Sequence, residues 1–208
     1  AMVCDRCFLV QVHHSVTPRA IFSDYPYFSS FSSTWLAHAR AFAERMTKDL
    51  ELGAQSYVIE IASNDGYLLR NFVAKNIPCL GIEPASNVAA VARAAGVQTE
   101  VAFFNRDMAH RLATTGRKAD LVVANNVIAH VPDLADFIAG LALVLHPQGV
   151  LSIEFPHLLQ LIENNAFDTI YHEHYSYFSL LALEKALWRQ GLRVYAAEKL
   201  PTHGGSLR

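Results

Sequence analysis

The hydrophobic pattern is sharpest at residues 57–66, where the apolar run Val58-Ile59-Glu60-Ile61-Ala62 stops at Ser63-Asn64-Asp65-Gly66. A short run rich in Val and Ile and bounded by turn formers reads as a strand buried on both faces. Leu68, Leu69, Phe72 and Val73 follow at helical spacing, so this stretch predicts strand, tight loop and helix. Glu60 interrupts the buried run, and a carboxylate there is costly unless it has a partner or a function. The same alternation then continues, with strands expected at 79–82, 98–103, 119–124, 149–155 and 192–198 and helices at 88–95, 105–114, 134–145 and 180–190. Ahead of it, Ser33 or Thr34 caps a helix carrying Trp35, Leu36, Ala39, Phe42, Ala43, Met46 and Leu50 at helical spacing. Such an order predicts an α/β fold, a mostly parallel sheet with right-handed crossovers and helices on both faces.

Two stretches depart from the alternation. Residues 21–33 are rich in serine and aromatics (Phe22, Tyr25, Tyr27, Phe28, Phe31) and contain Pro26, which reads as an ordered loop or lid. Residues 163–177 form a polar, aromatic insertion before the last helix. The expected organisation is an appendage over 1–31 and a core domain over 32–208.

Composition narrows the partners. A chain of 208 residues that is 52% hydrophobic can bury a full core, and its net charge of −2 gives no basic footprint for nucleic acid. No apolar run reaches the roughly 18 residues of a membrane span, so neither a membrane nor nucleic acid is an expected partner and the expected location is cytoplasmic. Three cysteines do not make a disulfide framework at this length. Cys4-x-x-Cys7 has the spacing of one zinc knuckle, half of a structural site, with His13 and His14 as weaker partners and two free thiols as the alternative.

In an open sheet of this kind a ligand lies beyond the carboxyl ends of the strands, where strand order reverses. That geometry gathers the loop Ser63-Asn64-Asp65-Gly66, Glu83 at the end of the second strand, and Asn125 and Asn126 at the end of the fourth, with His130 just beyond. Glu83 is placed to take the hydroxyls of a ribose. A dinucleotide fold needs G-x-G-x-x-G to bring its backbone against a pyrophosphate, and here the loop is A-S-N-D-G-Y with one glycine. S-adenosylmethionine has an adenosine end, a sulfonium and an amino-acid tail but no pyrophosphate, and the acids Glu60 and Asp65 suit its positive charges.

Glu60 to Gly66 with Tyr67-Leu68-Leu69, and Gly81-Ile82-Glu83-Pro84, resemble the class I S-adenosylmethionine-dependent methyltransferases. Adding Cys4-x-x-Cys7-Phe8-Leu9-Val10-Gln11, Asp24-Tyr25-Pro26-Tyr27-Phe28-Ser29-Ser30, Tyr171-His172-Glu173-His174 with Tyr175-Ser176-Tyr177-Phe178, and Thr202-His203-Gly204-Gly205-Ser206-Leu207-Arg208, the chain resembles the deoxysugar C-methyltransferases. Members of that family methylate a carbon next to a keto group on a nucleotide-linked sugar. The resemblance covers nearly the whole chain. It implies a cofactor set of Glu60, Ala62, Asn64, Asp65, Gly66, Leu68, Glu83, Pro84, Asn105, Asn125, Asn126 and His130. It also implies a complete zinc module, of which Cys4 and Cys7 are half, and a further C-terminal sugar-binding domain. The chain is therefore expected to be a core fragment, with the last sheet strand among the missing parts.

The implied chemistry assigns the insertion. Joining carbon to an electrophilic methyl requires removal of a proton alpha to a carbonyl, and a histidine near neutral pKa suits that task. His174, last in the Tyr-His-Glu-His motif, is the expected base. Glu173 orients or polarises a histidine, and Tyr171 donates to the developing enolate oxygen or holds the sugar. Tyr25, Tyr27 and His203 are candidates for closing over the sugar, and His172 is expected to face structure. The histidines with Glu173 also admit a metal site, although the reaction needs no Lewis acid. His110, His146 and His157 read as surface or structural. Two further readings stay open: a methyltransferase acting on oxygen or another small-molecule carbon, and a cofactor-binding module without catalysis.

Overall fold

The computed structural model describes residues 1–13 and 16–208. Met2–Val3 (β1) and Val10–Gln11 (β2) flank the Cys4–Cys7 turn, and Thr17 caps the short helix Pro18–Phe22 (α1). After a single 3₁₀ turn at Ser29–Phe31 comes Ser33–Asp49 (α2), whose N-cap Ser32 accepts from the Trp35 N–H at 3.2 Å. Then follow Val58–Ile61 (β3), Arg70–Val73 (α3), Cys79–Ile82 (β4), Ser86–Ala94 (α4), Thr99–Glu100 (β5), Arg106–Thr114 (α5) and Ala119–Asn125 (β6). Leu134–Val144 (α6), Leu145–Pro156 (β7), Leu158–Glu163 (α7), Ser176–Tyr177 (β8), Leu180–Trp188 (α8), Lys199–Leu200 (β9) and Ser206–Leu207 (β10) complete the chain.

The main sheet has seven strands in the order β5-β4-β3-β6-β7-β10-β9. The first five are parallel, whereas β10 is antiparallel to both β7 and β9. A separate small sheet, β1-β2-β8, joins the N-terminal hairpin to the insertion after α7. Every residue of β3 and β4 is buried, as two covered faces require. One face packs Ile59, Ile61, Ile82 and Val122 against Met108, Phe137, Leu141 and Leu183 of α5, α6 and α8. The other packs Val58, Leu121 and Val123 against Ala39, Phe42 and Ala43 of α2 and Phe72 of α3. Strand order reverses at β3 and β6, which opens a crevice at their carboxyl ends.

The alternation predicted from sequence is the observed one, with three corrections. The strand expected at 98–103 is a two-residue edge, Thr99–Glu100. Residues 192–197 carry no ladder, because Leu192 and Val194 pack on the core while pairing starts only at Glu198, which exchanges backbone hydrogen bonds with Arg208 at 2.9 and 3.0 Å just ahead of Lys199–Leu200. The last strand, expected to be missing, is present as Ser206–Leu207. His203, Gly204 and Gly205, at φ 51°, 75° and 119°, fold the chain back so that this strand inserts between β7 and β9. The segment expected to lack regular structure holds the 3₁₀ turn, and no helix among the described residues is long and apolar enough to cross a membrane.

Candidate active site

The loop after β3 curls tightly because Ala62, Asn64 and Gly66 all take left-handed backbone, at φ 56°, 49° and 76°. A Cβ on Gly66 would lie 2.9 Å from Cγ2 of Val97, so the turn needs glycine on steric as well as conformational grounds. Glu83, at the end of β4, accepts from the N–H groups of Asn64 and Ala85, each at 2.9 Å, and so ties the first loop to the second. Burial, and after it the charge of Asp65, pushes the Glu83 carboxyl up despite these two donors.

Glu60 is 1% exposed and neither of its carboxylate oxygens has a hydrogen-bond partner. Burial drives its pKa well above the usual carboxylate range; the Tyr67 hydroxyl is near enough to oppose this without completing a hydrogen bond, and Glu83 and Asp65 reinforce it. Around it, Ser63 Oγ, Asp65 Oδ1, Asn125 Oδ1 and Asn126 Oδ1 are also buried and unpartnered. Buried polar atoms are normally satisfied, so such a set at two neighbouring strand ends marks the seat of a polar ligand, and its surplus of acceptors favours a cation with N–H or O–H donors.

A second cluster lies on the other side of Tyr25. Nδ1 of His174 is 2.9 Å from the carbonyl oxygen of Thr169, a group that only accepts, so Nδ1 carries the proton and Nε2 the lone pair. The Tyr171 hydroxyl stands 3.3 Å from that Nε2. Burial lowers the His174 pKa, which keeps the imidazole neutral at physiological pH. His130 repeats the arrangement: its Nδ1 is 2.9 Å from the carbonyl oxygen of Glu173, its ring is 4.8 Å from that of His174, and burial followed by His174 pushes its pKa down to about 4. His130 therefore sits with the histidine cluster, its ring also edge-on to Phe22 at 5.3 Å. Tyr25 is half-buried between the two clusters, within electrostatic reach of Glu173 and Tyr171 on one side and of Glu83 on the other.

A third group escaped the sequence reading. Glu154, fully buried at the end of β7, accepts from the Thr202 hydroxyl at 2.9 Å and from Arg208 Nη2 at 2.6 Å, and lies 3.0 Å from His38 Nε2. Burial pushes this carboxyl up, but His38 and Arg208 outweigh it and hold it below the usual range. Above the network, Trp35 stacks on His38 and Tyr67 with centroids at 4.9 and 5.9 Å and meets His203 edge-on at 5.2 Å. The available signal was an acid closing a buried strand, the pattern already seen at Glu60 and Glu83. Of its partners, 116, 54 and 48 residues away, Arg208 and Thr202 lie in the His-Gly-Gly motif but nothing in the sequence ties them to Glu154, and His38 had no signal.

The remaining expected residues divide. Leu68 is fully buried in the core beside Leu69 and Phe72, and Asn105 caps α5 by accepting from the Met108 N–H at 2.8 Å, so both side chains are engaged in structure. Pro84 lies in the turn into α4, and Tyr27 remains 51% exposed. His172 is exposed rather than facing structure, His110 and His146 are exposed, and His157 is buried at the end of β7. Hydrogen bonds from the backbone of Cys7 and Arg6 and from the Cys7 side chain lower the pKa of the Cys4 thiol. The half zinc site expected at Cys4 and Cys7 finds no support here: no group of three or more His, Cys, Asp or Glu placed to hold a metal occurs among the described residues, and His14 lies outside them.

Comparison with known proteins agrees with this geometry. A family model described as a methyltransferase domain matches residues 35–197. The chain is 35% identical over 206 residues to the C-methyltransferase NovU of Streptomyces niveus, a match covering 99% of this chain and 49% of that protein. It is 28% identical over 97 residues to a ubiquinone biosynthesis O-methyltransferase of Bartonella bacilliformis, covering 46% of this chain and 39% of the other. The chain thus spans half or less of the length of these relatives. Among solved structures, magnesium protoporphyrin IX methyltransferase (ChlM) from Synechocystis PCC 6803 with bound SAH superposes with a TM-score of 0.63 at 16% identity, covering 83% of this chain and 80% of that one. A SAM-dependent methyltransferase from Archaeoglobus fulgidus superposes with a TM-score of 0.61 at 15% identity, covering 78% and 72%. By fold and by the match over residues 35–197, the chain belongs to the methyltransferase-domain family.

Proposed function

We propose that the protein is an S-adenosylmethionine-dependent C-methyltransferase acting on a nucleotide-linked keto-deoxysugar in the cytoplasm. The observation that carries the reading is His174, a neutral imidazole whose proton is committed to the Thr169 carbonyl and whose Nε2 lone pair accepts from the Tyr171 hydroxyl at 3.3 Å, one tyrosine away from the crevice of orphaned acceptors. The C-methyltransferase relative, 35% identical over nearly the whole chain, supports the reaction class, and the Tyr-His-Glu-His and His-Gly-Gly motifs support the sugar.

The crevice fits the cofactor. Glu60 and Asp65 would oppose its cationic groups, Glu83 would take the ribose hydroxyls, and the Asn125 and Asn126 amides would serve the remaining polar edge. Bound there, S-adenosylmethionine supplies an electrophilic methyl group on a sulfonium. His174 Nε2 removes the proton alpha to the keto group; the C–H electron pair moves into the enolate, and the Tyr171 hydroxyl donates to its oxygen. Glu173 holds His130 through its backbone carbonyl, and burial together with the neighbouring His174 keeps His130 neutral at physiological pH. Tyr25 separates the two sites, while Tyr27 and His203 border the sugar side. In the intact protein Cys4 and Cys7 contribute half of a structural zinc site.

Incubating the intact protein with keto-sugar nucleotides and S-adenosylmethionine carrying a ¹³C-labelled methyl tests the reading. A product methyl resonating as one bonded to carbon is expected. A methoxy resonance would transfer the reading to O-methylation.

A further inference from the structure

Residues 25–30 are held by five hydrogen bonds made to their backbone by side chains of the loop after β3 and of the first turn of α4. At one end Asn87, in the first turn of α4, accepts from the Tyr25 N–H at 3.1 Å and donates to the Tyr25 carbonyl at 2.8 Å, pairing with that residue as a neighbouring strand would. At the other end Asn64 accepts from the Ser29 N–H at 2.9 Å and donates to the Tyr27 carbonyl at 3.0 Å, and Asp65 Oδ2 accepts from the Ser30 N–H at 3.0 Å. These anchors stand on the loop after β3 and on the start of α4, which directly follows Glu83 and its turn. The segment therefore crosses the crevice between the two strand ends, with Tyr25 reaching Glu83 on one side and Glu173 and Tyr171 on the other.

We infer that residues 25–30 form a strap fastened across the adenosyl side of the crevice, and that Asn87 is a positioning residue whose release sets the rate at which the cofactor enters and leaves. The inference rests on the S-adenosylmethionine reading of the crevice. The two fastenings differ in kind. Asn64 also accepts from the Asp65 N–H at 2.9 Å and sits at φ 49°, so its bonds are part of the cofactor loop's own conformation. Asn87 bonds Tyr25 alone among its described side-chain partners, through one donor and one acceptor. The strap thus opens from the Asn87 end without unravelling the loop that holds the methionine half. Because the fastening is to backbone, it does not depend on which side chains the strap presents to the sugar.

The test uses Asn87→Ala and Asn87→Asp in the 208-residue chain, followed by amide hydrogen exchange over residues 25–30 and by stopped-flow dissociation of S-adenosylhomocysteine. Alanine suits a helix, and aspartate keeps the acceptor for the Tyr25 N–H while losing the donor. Asn87→Ala should speed both exchange in the strap and dissociation of S-adenosylhomocysteine by about tenfold, as the loss of two ordinary hydrogen bonds implies, with α2 exchange unchanged. Association should speed as well, so that the equilibrium affinity falls by less than the dissociation rate rises. Asn87→Asp should fall between variant and parent. Unaltered strap exchange in Asn87→Ala would overturn the fastening whatever the ligand does. Faster strap exchange with unaltered dissociation would overturn the control of cofactor exchange. If the parent chain shows a strap that responds to Asn87→Ala but binds no S-adenosylhomocysteine, the cofactor reading fails, and the gating role fails with it.

Discussion

Glu60→Gln should make the ligand-free chain more stable while impairing its ligand site. The wild-type carboxyl is 1% exposed with no hydrogen-bond partner, and its pKa is driven well above the ordinary 4.5 by burial. A folded-state pKa above the unfolded one means that the native state binds more protons between the two values, so stability falls as pH rises from about 4.5 towards the folded pKa. An amide of the same shape carries no such dependence. Leaving a buried polar group unsatisfied costs about 1–3 kcal/mol, and relief of that cost corresponds to about 2–10 °C in melting temperature for a chain of this size. The advantage of the variant should be largest at neutral pH and vanish below about pH 4.5, where the wild-type carboxyl is protonated folded or unfolded. Scanning calorimetry of both forms across that range reads the effect, and calorimetric titration of S-adenosylhomocysteine should show weaker binding to the variant. A destabilised Glu60→Gln at neutral pH, or one whose offset is the same at every pH, would show that the carboxylate is satisfied in the ligand-free chain and would refute the reasoning.

Other consequences follow from the same geometry. Arg208→Ala leaves the fully buried Glu154 facing only His38 and Thr202, which should cost about 3–5 kcal/mol in urea unfolding. Since the Glu154 pKa is held below the usual range, its contribution is present above about pH 4.5 and lost as pH falls through the folded value, so acid unfolding of the variant should begin at higher pH. If His174 is the base, kcat/KM should rise with pH through an inflection below 6.5 and then level off; an inflection above 6.5 would point to another group. Gly81→Ala places a Cβ 2.9 Å from the Ser63 Cβ and 3.3 Å from Leu69 Cδ1, and this overpacking should cost about 1–3 kcal/mol and weaken S-adenosylhomocysteine binding by displacing the loop. Retained stability and affinity would mean that Ser63 and Leu69 yield freely.

What the sequence made legible is whatever depended on local pattern. The run Val58 to Ala62 could only be a strand buried on both faces, and acids or amides closing such strands at Glu60, Glu83 and Asn125 pointed to one crevice. The Tyr171 to His174 motif was legible by resemblance, and its structure adds what no motif contains, namely the Thr169 carbonyl that fixes the tautomer. Residues 192–197 misled because Leu192 and Val194 are periodic for burial on the core rather than for pairing. The network of His38, Glu154, Thr202 and Arg208, and the strap held by Asn64 and Asn87, join residues far apart in the chain through side-chain hydrogen bonds. Such contacts leave no periodicity. His130 stood close enough in sequence to the cofactor crevice to be assigned there, and only the fold brings it within 4.8 Å of a histidine forty-four positions later.

The claim that His174 removes the alpha proton is tested most directly by following solvent deuterium into a keto-sugar nucleotide by NMR, without methyl donor, for the intact protein and its His174→Ala variant. Exchange at the alpha carbon should fall by about 10²–10⁴ in the variant while S-adenosylhomocysteine affinity is retained. Exchange at the parental rate in His174→Ala would contradict the account.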